Sequence, residues 1–202
     1  MSFEAELAGL NENYFFREFT FSKNTFRPAP NDEAELADNI IWIGDTLIAF
    51  QVKERIIAND TTPEDEQRWF YRKVITLGTK QIRDTLTYLR ENKRIELENH
   101  RGHTFCLEDQ KIAMTHKVVC YLPNPALPVD CGMKKFHRSS TAGVIHIIPA
   151  NDYLGIVRTL LTPSELSEYL SFREKLIGRW DVEINAVPEP AIIGQYIEGS
   201  VE

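Results

Sequence analysis

Asp38, Gln51 and Lys53 differ in chemistry but are spaced so that one β-hairpin would bring them together. They lie in two β-prone runs, residues 38–43 and 46–53, separated by Gly44-Asp45. A two-residue loop with glycine first signals a tight hairpin. Counting back from it pairs Ile43 with Thr46, Trp42 with Leu47, Ile40 with Ala49 and Asp38 with Gln51. Directly opposed residues of an antiparallel pair share a face, with Cβ atoms about 4.5–5.5 Å apart. Lys53, two residues past Gln51, points to the same side. A carboxylate, an amide and an ammonium group therefore converge at the open end of the hairpin. Oxygen donors of this kind suit Mg2+ or Mn2+. Such an ion lowers the pKa of an attacking water and offsets charge on a phosphate, and a neighbouring lysine stabilises the transition state. The chemistry expected is phosphodiester hydrolysis. Asp38 would be the chief metal ligand, the Gln51 carbonyl a weaker one and Lys53 the cationic catalyst. The plain alternative is a polar strand end with no role.

Several elements must hold this hairpin. Residues 3–12 read as a short helix, the aromatic run 14–22 as a strand, and residues 23–34, with Pro28, Pro30 and Asn31, as a loop. Thr62, Pro63 and Asp65 form a helix start. The helix is expected to run to about Asn92, with Val74, Ile75, Gly78, Ile82, Leu86 and Leu89 as its inner stripe. Residues 94–98 and 103–107 suggest a second hairpin, and 116–122 and 143–148 two more strands, with a long loop over 123–142. Helices are expected near 152–161 and 163–177, the second capped by Thr162, Pro163 and Glu165. From Trp180 the chain reads as irregular, with Ala191, Ile192, Ile193 and Ile197 free to pack on the body or on another chain. The fold class is α/β, a central mixed β-sheet flanked by helices. Residues 1–150 form the main domain, and residues 151–202 a C-terminal helical extension packed on it.

These residues carry a family resemblance. Glu35-Leu36-Ala37-Asp38, a hairpin, then Phe50-Gln51-Val52-Lys53 resembles the PD-(D/E)XK signature of restriction-endonuclease-like nucleases. In that superfamily an aspartate opens one strand and Glu-x-Lys lies on the next. The Gln-x-Lys form is similar to the variant among type IV, methyl-directed restriction endonuclease domains. The order helix, three strands, helix, strand matches the superfamily core. The resemblance covers residues 3–122. It departs in Ala37, where a proline is usual, and in Gln51, which replaces an acid. It implies a Mg2+-dependent endodeoxyribonuclease that cuts DNA in a restriction or defence setting. Family members often bring a glutamate of the first helix to the metal; Glu4, Glu6 and Glu12 are candidates, and Glu6 is favoured. Glu35 is set aside, because strand alternation would place it opposite Asp38. The resemblance also puts a polar residue of the following helix, Gln81, near the site; a partly buried amide bonded to backbone is the alternative. Cutting both strands of a duplex is simplest for a homodimer.

The chain has 202 residues, 43% of them apolar and 26% charged, with a net charge of -7 and a mean hydropathy of -0.31. That balance argues against a general nucleic-acid coating protein, though phosphate contact needs only a local basic patch. Lys134, Lys135, His137 and Arg138 form the one dense basic cluster, either a DNA-contacting loop or a solvated one. Lys73 and Lys80 share a helix face and could also meet phosphate. Three cysteines make no disulfide framework, and His100, His103 and Cys106 lack the second ligand pair of a zinc site. No apolar run nears the roughly 18 residues of a membrane span, so a cytoplasmic protein is expected. The alternatives to a nuclease are a catalytically inactive nuclease-like domain that binds nucleic acid or protein, and an interaction scaffold.

Overall fold

The computed structural model describes residues 2–22, 24–29, 32–55, 61–92, 94–106 and 112–199. Helix α1 (Phe3–Phe15) is followed by a two-residue strand β1 (Thr20–Phe21), a side hairpin of β2 (Thr25–Ala29) and β3 (Asp32–Glu35), and the central hairpin of β4 (Asn39–Ile43) and β5 (Thr46–Lys53). A long helical stretch comes next: α2 (Pro63–Trp69), a π-helical segment (Phe70–Gly78) and α3 (Thr79–Glu91). The hairpin of β6 (Glu96–Glu98) and β7 (Thr104–Cys106) leads to β8 (Met114–Tyr121). A short α4 (Val129–Gly132), β9 (Phe136–Ser139) and β10 (Gly143–Pro149) precede α5 (Ala150–Thr159) and α6 (Pro163–Trp180). A 3-10 turn (Asp181–Ala186) and α7 (Glu189–Glu198) close the described chain.

Six strands form one mixed sheet in the order β1-β4-β5-β8-β10-β9. The first three neighbours are antiparallel, β5, β8 and β10 run parallel, and β9 is antiparallel to β10. Parallel neighbours need a long crossover, and the α2-to-α3 stretch lies on the connection from β5 to β8. Alternation along the strands separates two cores. Ile41, Ile48, Phe50, Val52, Val118 and Cys120 pack with α1, α5, α6 and α7. Ile40, Leu47, Ala49, Val119 and Tyr121 pack on the other face with Phe70, Val74 and Ile82. Gly78 fits here because a Cβ would lie 2.8 Å from the Val119 side chain. The π segment fits its sequence only locally: the Thr76 hydroxyl bonds the Tyr71 carbonyl five residues back, at 2.9 Å.

The hairpin register is the expected one. Ile43 faces Thr46, Trp42 faces Leu47 and Ile40 faces Ala49, with Gly44 in the turn at φ +57°. Thr62 caps α2, its hydroxyl accepting from the Asp65 amide at 3.2 Å, and Thr162 and Glu165 complete a reciprocal capping box on α6. Other boundaries differ. Tyr14 and Phe15 continue α1 instead of forming a strand, because Phe15 is wholly buried in the helix-side core. Part of the expected 23–34 loop is the hairpin of β2 and β3. The expected 123–142 loop contains α4 and β9, the latter paired with β10. The tail is helical, with Ile192 and Ile193 buried against the same sheet face as α5 and α6.

Candidate active site

Asp38 sits at the bend before β4, and its amide donates to the Phe50 carbonyl at 3.1 Å, extending the ladder by one step. This sets it beside Gln51. Its Oδ2 accepts from the Val52 amide at 2.5 Å and lies 3.5 Å from Lys53 Nζ. Lys53 Nζ also donates to Gln51 Oε1 at 3.4 Å and to the Val52 carbonyl at 2.8 Å. The three residues inferred from spacing therefore meet. Gln51 and Lys53 are 3% and 9% exposed. Burial pushes the Lys53 ammonium below the ordinary lysine value, against the pull of Asp38.

Two further acids surround this group. Burial raises the Glu4 carboxyl, and Asp38 and Glu54 raise it further while Lys53 opposes them. Burial likewise raises Glu35, reinforced by Asp38 and Glu4 and opposed by Lys53. Of the first-helix glutamates, Glu4 is the one whose carboxyl feels Asp38 and Lys53. Two residues along a helix turn a side chain roughly 200°, and Glu6 lines a separate depression with Leu122, Ala150 and Asn151. Glu12 is engaged by Arg17 and His100. Glu35, set aside on strand alternation, also has a carboxyl that feels Asp38. Residues 36–38 form a bend and not a strand, so alternation does not carry across them. Asp38 and the Gln51 carbonyl are oxygen donors of the kind a hard divalent cation takes, while Glu4 and Glu35 act on Asp38 through charge without gathering with it into a three-carboxylate cluster among the described residues.

The expected DNA-contacting residues disperse. Lys135 is buried, with Nζ 3.3 Å from Glu189 Oε2, and cannot reach a phosphate. Arg138 is held by Asp181 at 3.0 Å and by the Ile177 carbonyl at 2.9 Å, which ties β9 to the C-terminal end of α6. Lys134 is half-buried just before β9. Lys80 is exposed and paired with Asp84 at 2.7 Å. Gln81 is half-buried, with a buried Oε1 that has no hydrogen-bond partner. Lys73 alone joins other cations, in a depression with Arg55, Arg68, Trp69 and Arg72.

A second polar cluster, His116, His146 and Glu174, lies between the sheet and α6, and three residues so far apart in sequence gave no motif to find it by. Their candidate ligand atoms lie within 4.8 Å of one another. Proton placement opposes a metal here. Arg173 Nη1 lies 3.0 Å from His146 Nδ1, and a guanidinium only donates. The neutral ring therefore carries its proton on Nε2, the atom 3.7 Å from Glu174 Oε1. Burial lowers both histidines to about 4, with Glu174 pulling each the other way. Beyond His100, which bonds Ser22 and Glu12, the spacing His100, His103, Cys106 gathers no metal cluster among the described residues.

Comparison with protein-family models, with curated proteins and with solved structures gave no match. Among the described residues, no helix is long and apolar enough to cross a membrane.

Proposed function

We propose that this chain is a Mg2+- or Mn2+-dependent nuclease of the restriction-endonuclease-like type, hydrolysing phosphodiester bonds of DNA in the cytoplasm. The observation that carries the reading is the meeting of Lys53 Nζ with Asp38 Oδ2 and Gln51 Oε1, at 3.5 and 3.4 Å, on a paired strand end. The order helix, antiparallel β1-β4-β5, helix, parallel β8 supports it, since that is the arrangement the signature residues led one to expect. A bound divalent ion would supply Lewis acidity and a more acidic water. Asp38 holds Oδ2 on the Val52 amide, which would leave Oδ1 for the ion, with the Gln51 carbonyl as the neighbouring donor and Glu4 and Glu35 adding negative charge around it. Lys53 is kept close by burial and by its three oxygen contacts. From there it steadies negative charge on the phosphate as the new bond forms. Two copies related by a two-fold axis would cut both strands, and the exposed Val182 and Ile197 near the C-terminus are the candidate contact.

One observation favours a binding domain without turnover: the position of the second acid holds neutral Gln51. Mn2+ calorimetry separates this from the active reading in combination with a plasmid-cleavage assay. Binding that Asp38→Ala abolishes, together with metal-dependent cleavage, is the expected result. Equal Mn2+ binding by Asp38→Ala removes the metal site from this hairpin.

A further inference from the structure

The depression beside Trp69 is rich in cations for so acidic a chain. It has a volume of about 350 Å³ and is lined by Arg55, Thr61, Asp65, Arg68, Trp69, Arg72 and Lys73. Five of these follow the spacing i, i+3, i+4, i+7, i+8, one face of a helix, from α2 into the π segment. Arg55 is fixed from the opposite side. Its Nη2 contacts Glu66 at 2.6 Å and the Thr61 hydroxyl at 3.1 Å, and its guanidinium stands 6.0 Å from the Trp69 ring centroid. That contact orients the indole. Two of the four cations are matched by acid, Arg55 by Glu66 and Arg68 by Asp65. Arg72 and Lys73 have no ion pair among the described residues, and Arg55 Nε is buried without a hydrogen-bond partner. A protein of net charge -7 thus holds an anion-seeking surface around a half-exposed aromatic ring. Arg55 is two residues past Lys53, at most about 7 Å of chain, so a polymer lying in the depression also passes the hairpin end.

Cations beside an accessible indole suit a phosphodiester chain with an unstacked base. A duplex keeps its bases stacked inside and offers the ring nothing to stack on, whereas single strands and frayed ends do. We propose that this depression binds one nucleotide of a single-stranded nucleic acid, with Arg72 and Lys73 on its phosphates and its base against Trp69. The inference rests on the nuclease reading only for its purpose, which is to feed a single strand or an opened end to the hairpin site. Binding itself needs neither metal nor turnover.

The test is fluorescence anisotropy in EDTA with labelled 12-nucleotide single-stranded DNA, RNA of the same sequence and the blunt DNA duplex. The wild type should bind a single strand more tightly than the duplex. Trp69→Ala should weaken single-strand binding roughly tenfold, the scale of one lost base stack, with little effect on the duplex, and Trp69→Phe should restore most of it. Arg72→Glu, an exposed change that should leave the melting curve unaltered, should weaken single-strand binding and make its loss with salt shallower. Preference for RNA over DNA, or the reverse, identifies the natural strand. No binding, a preference for duplex, or single-strand binding indifferent to both Trp69→Ala and Arg72→Glu overturns the proposal. Metal-dependent cleavage is scored separately. A chain that binds single strands without cutting leaves this inference standing and the nuclease reading fallen; cutting with no single-strand binding does the opposite.

Discussion

Glu189 offers a prediction whose size follows from the structure by two routes. It opens α7, is 2% exposed, and is contacted by Arg173 at 2.8 and 2.9 Å, by Lys135 at 3.3 Å and by the Tyr169 hydroxyl. Arg173 is itself 1% exposed. Glu189→Gln keeps the shape and removes the one carboxylate that, among the described residues, forms an ion pair with these two buried cations. Breaking a buried pair from one side costs about 3–5 kcal/mol. Linkage gives a second value. Burial alone would raise the carboxyl, but Arg173, then Lys135 and Tyr169, hold it at about 2 against an ordinary 4.5. That gap corresponds to roughly 3 kcal/mol at ~1.36 kcal/mol per pH unit. Because the folded value is depressed, this stability is fully present above pH 4.5 and is lost as pH falls toward 2. Urea denaturation at pH 7 should therefore show Glu189→Gln less stable by about 3 kcal/mol, with a weaker decline than the wild type between pH 4.5 and 2. A loss under about 1 kcal/mol, the scale of an exposed pair, would refute the clamp and with it the view that α7 is an integral part of this domain.

Mn2+ calorimetry should distinguish the glutamates near the hairpin: Glu4→Gln and Glu35→Gln should each weaken binding several-fold, because both carboxyls bear on Asp38, while Glu6→Gln should bind as wild type. His116 and His146 should make the fold acid-sensitive. Their folded values near 4 lie below the ordinary 6.5, so their contribution is complete above pH 6.5 and declines as pH falls toward 4, by roughly 2 kcal/mol each between pH 7 and 5. Arg173, Lys117 and Glu174 face these rings, and His116→Gln should flatten that decline in urea midpoints; an unchanged decline would contradict it. Light scattering should give twice the chain mass if the exposed C-terminal apolar residues form a two-fold contact, and a monomer at high concentration with full double-strand cutting would argue against it.

Short-range signals carried most of what the sequence revealed. The Gly44-Asp45 loop permits a single register, and a slip of one residue would turn Leu47 and Ala49 out of their core. Asp38, Gln51 and Lys53 could therefore be placed by counting. Glu35 could not, because the Leu36–Asp38 bend breaks the alternation that the count assumes. The favoured Glu6 followed a family habit and not a helical angle; α1 sets Glu6 in a separate depression, while the Glu4 carboxyl feels Asp38. Tyr14 and Phe15 are β-prone, yet burial of Phe15 among helix-side core residues overrides propensity. Lys135 was read as a surface cation because its partner, Glu189, lies 54 residues on. The tail did carry helix signals that were passed over: Pro190 in the first turn of α7, and Gly199 after it at φ +65°.

The central claim is that the hairpin end is a catalytic centre, and single-turnover cleavage of duplex DNA across a Mg2+ titration tests it most directly. Wild type should cut. Lys53→Ala should cut at least about 100-fold more slowly, the scale of losing one electrostatic stabiliser. Gln51→Glu, which adds a ligand charge, should reach half-maximal rate at lower Mg2+. Equal rates for wild type and Lys53→Ala would contradict the claim, and cleavage by Gln51→Glu alone would make the natural chain a binding domain built on a nuclease scaffold.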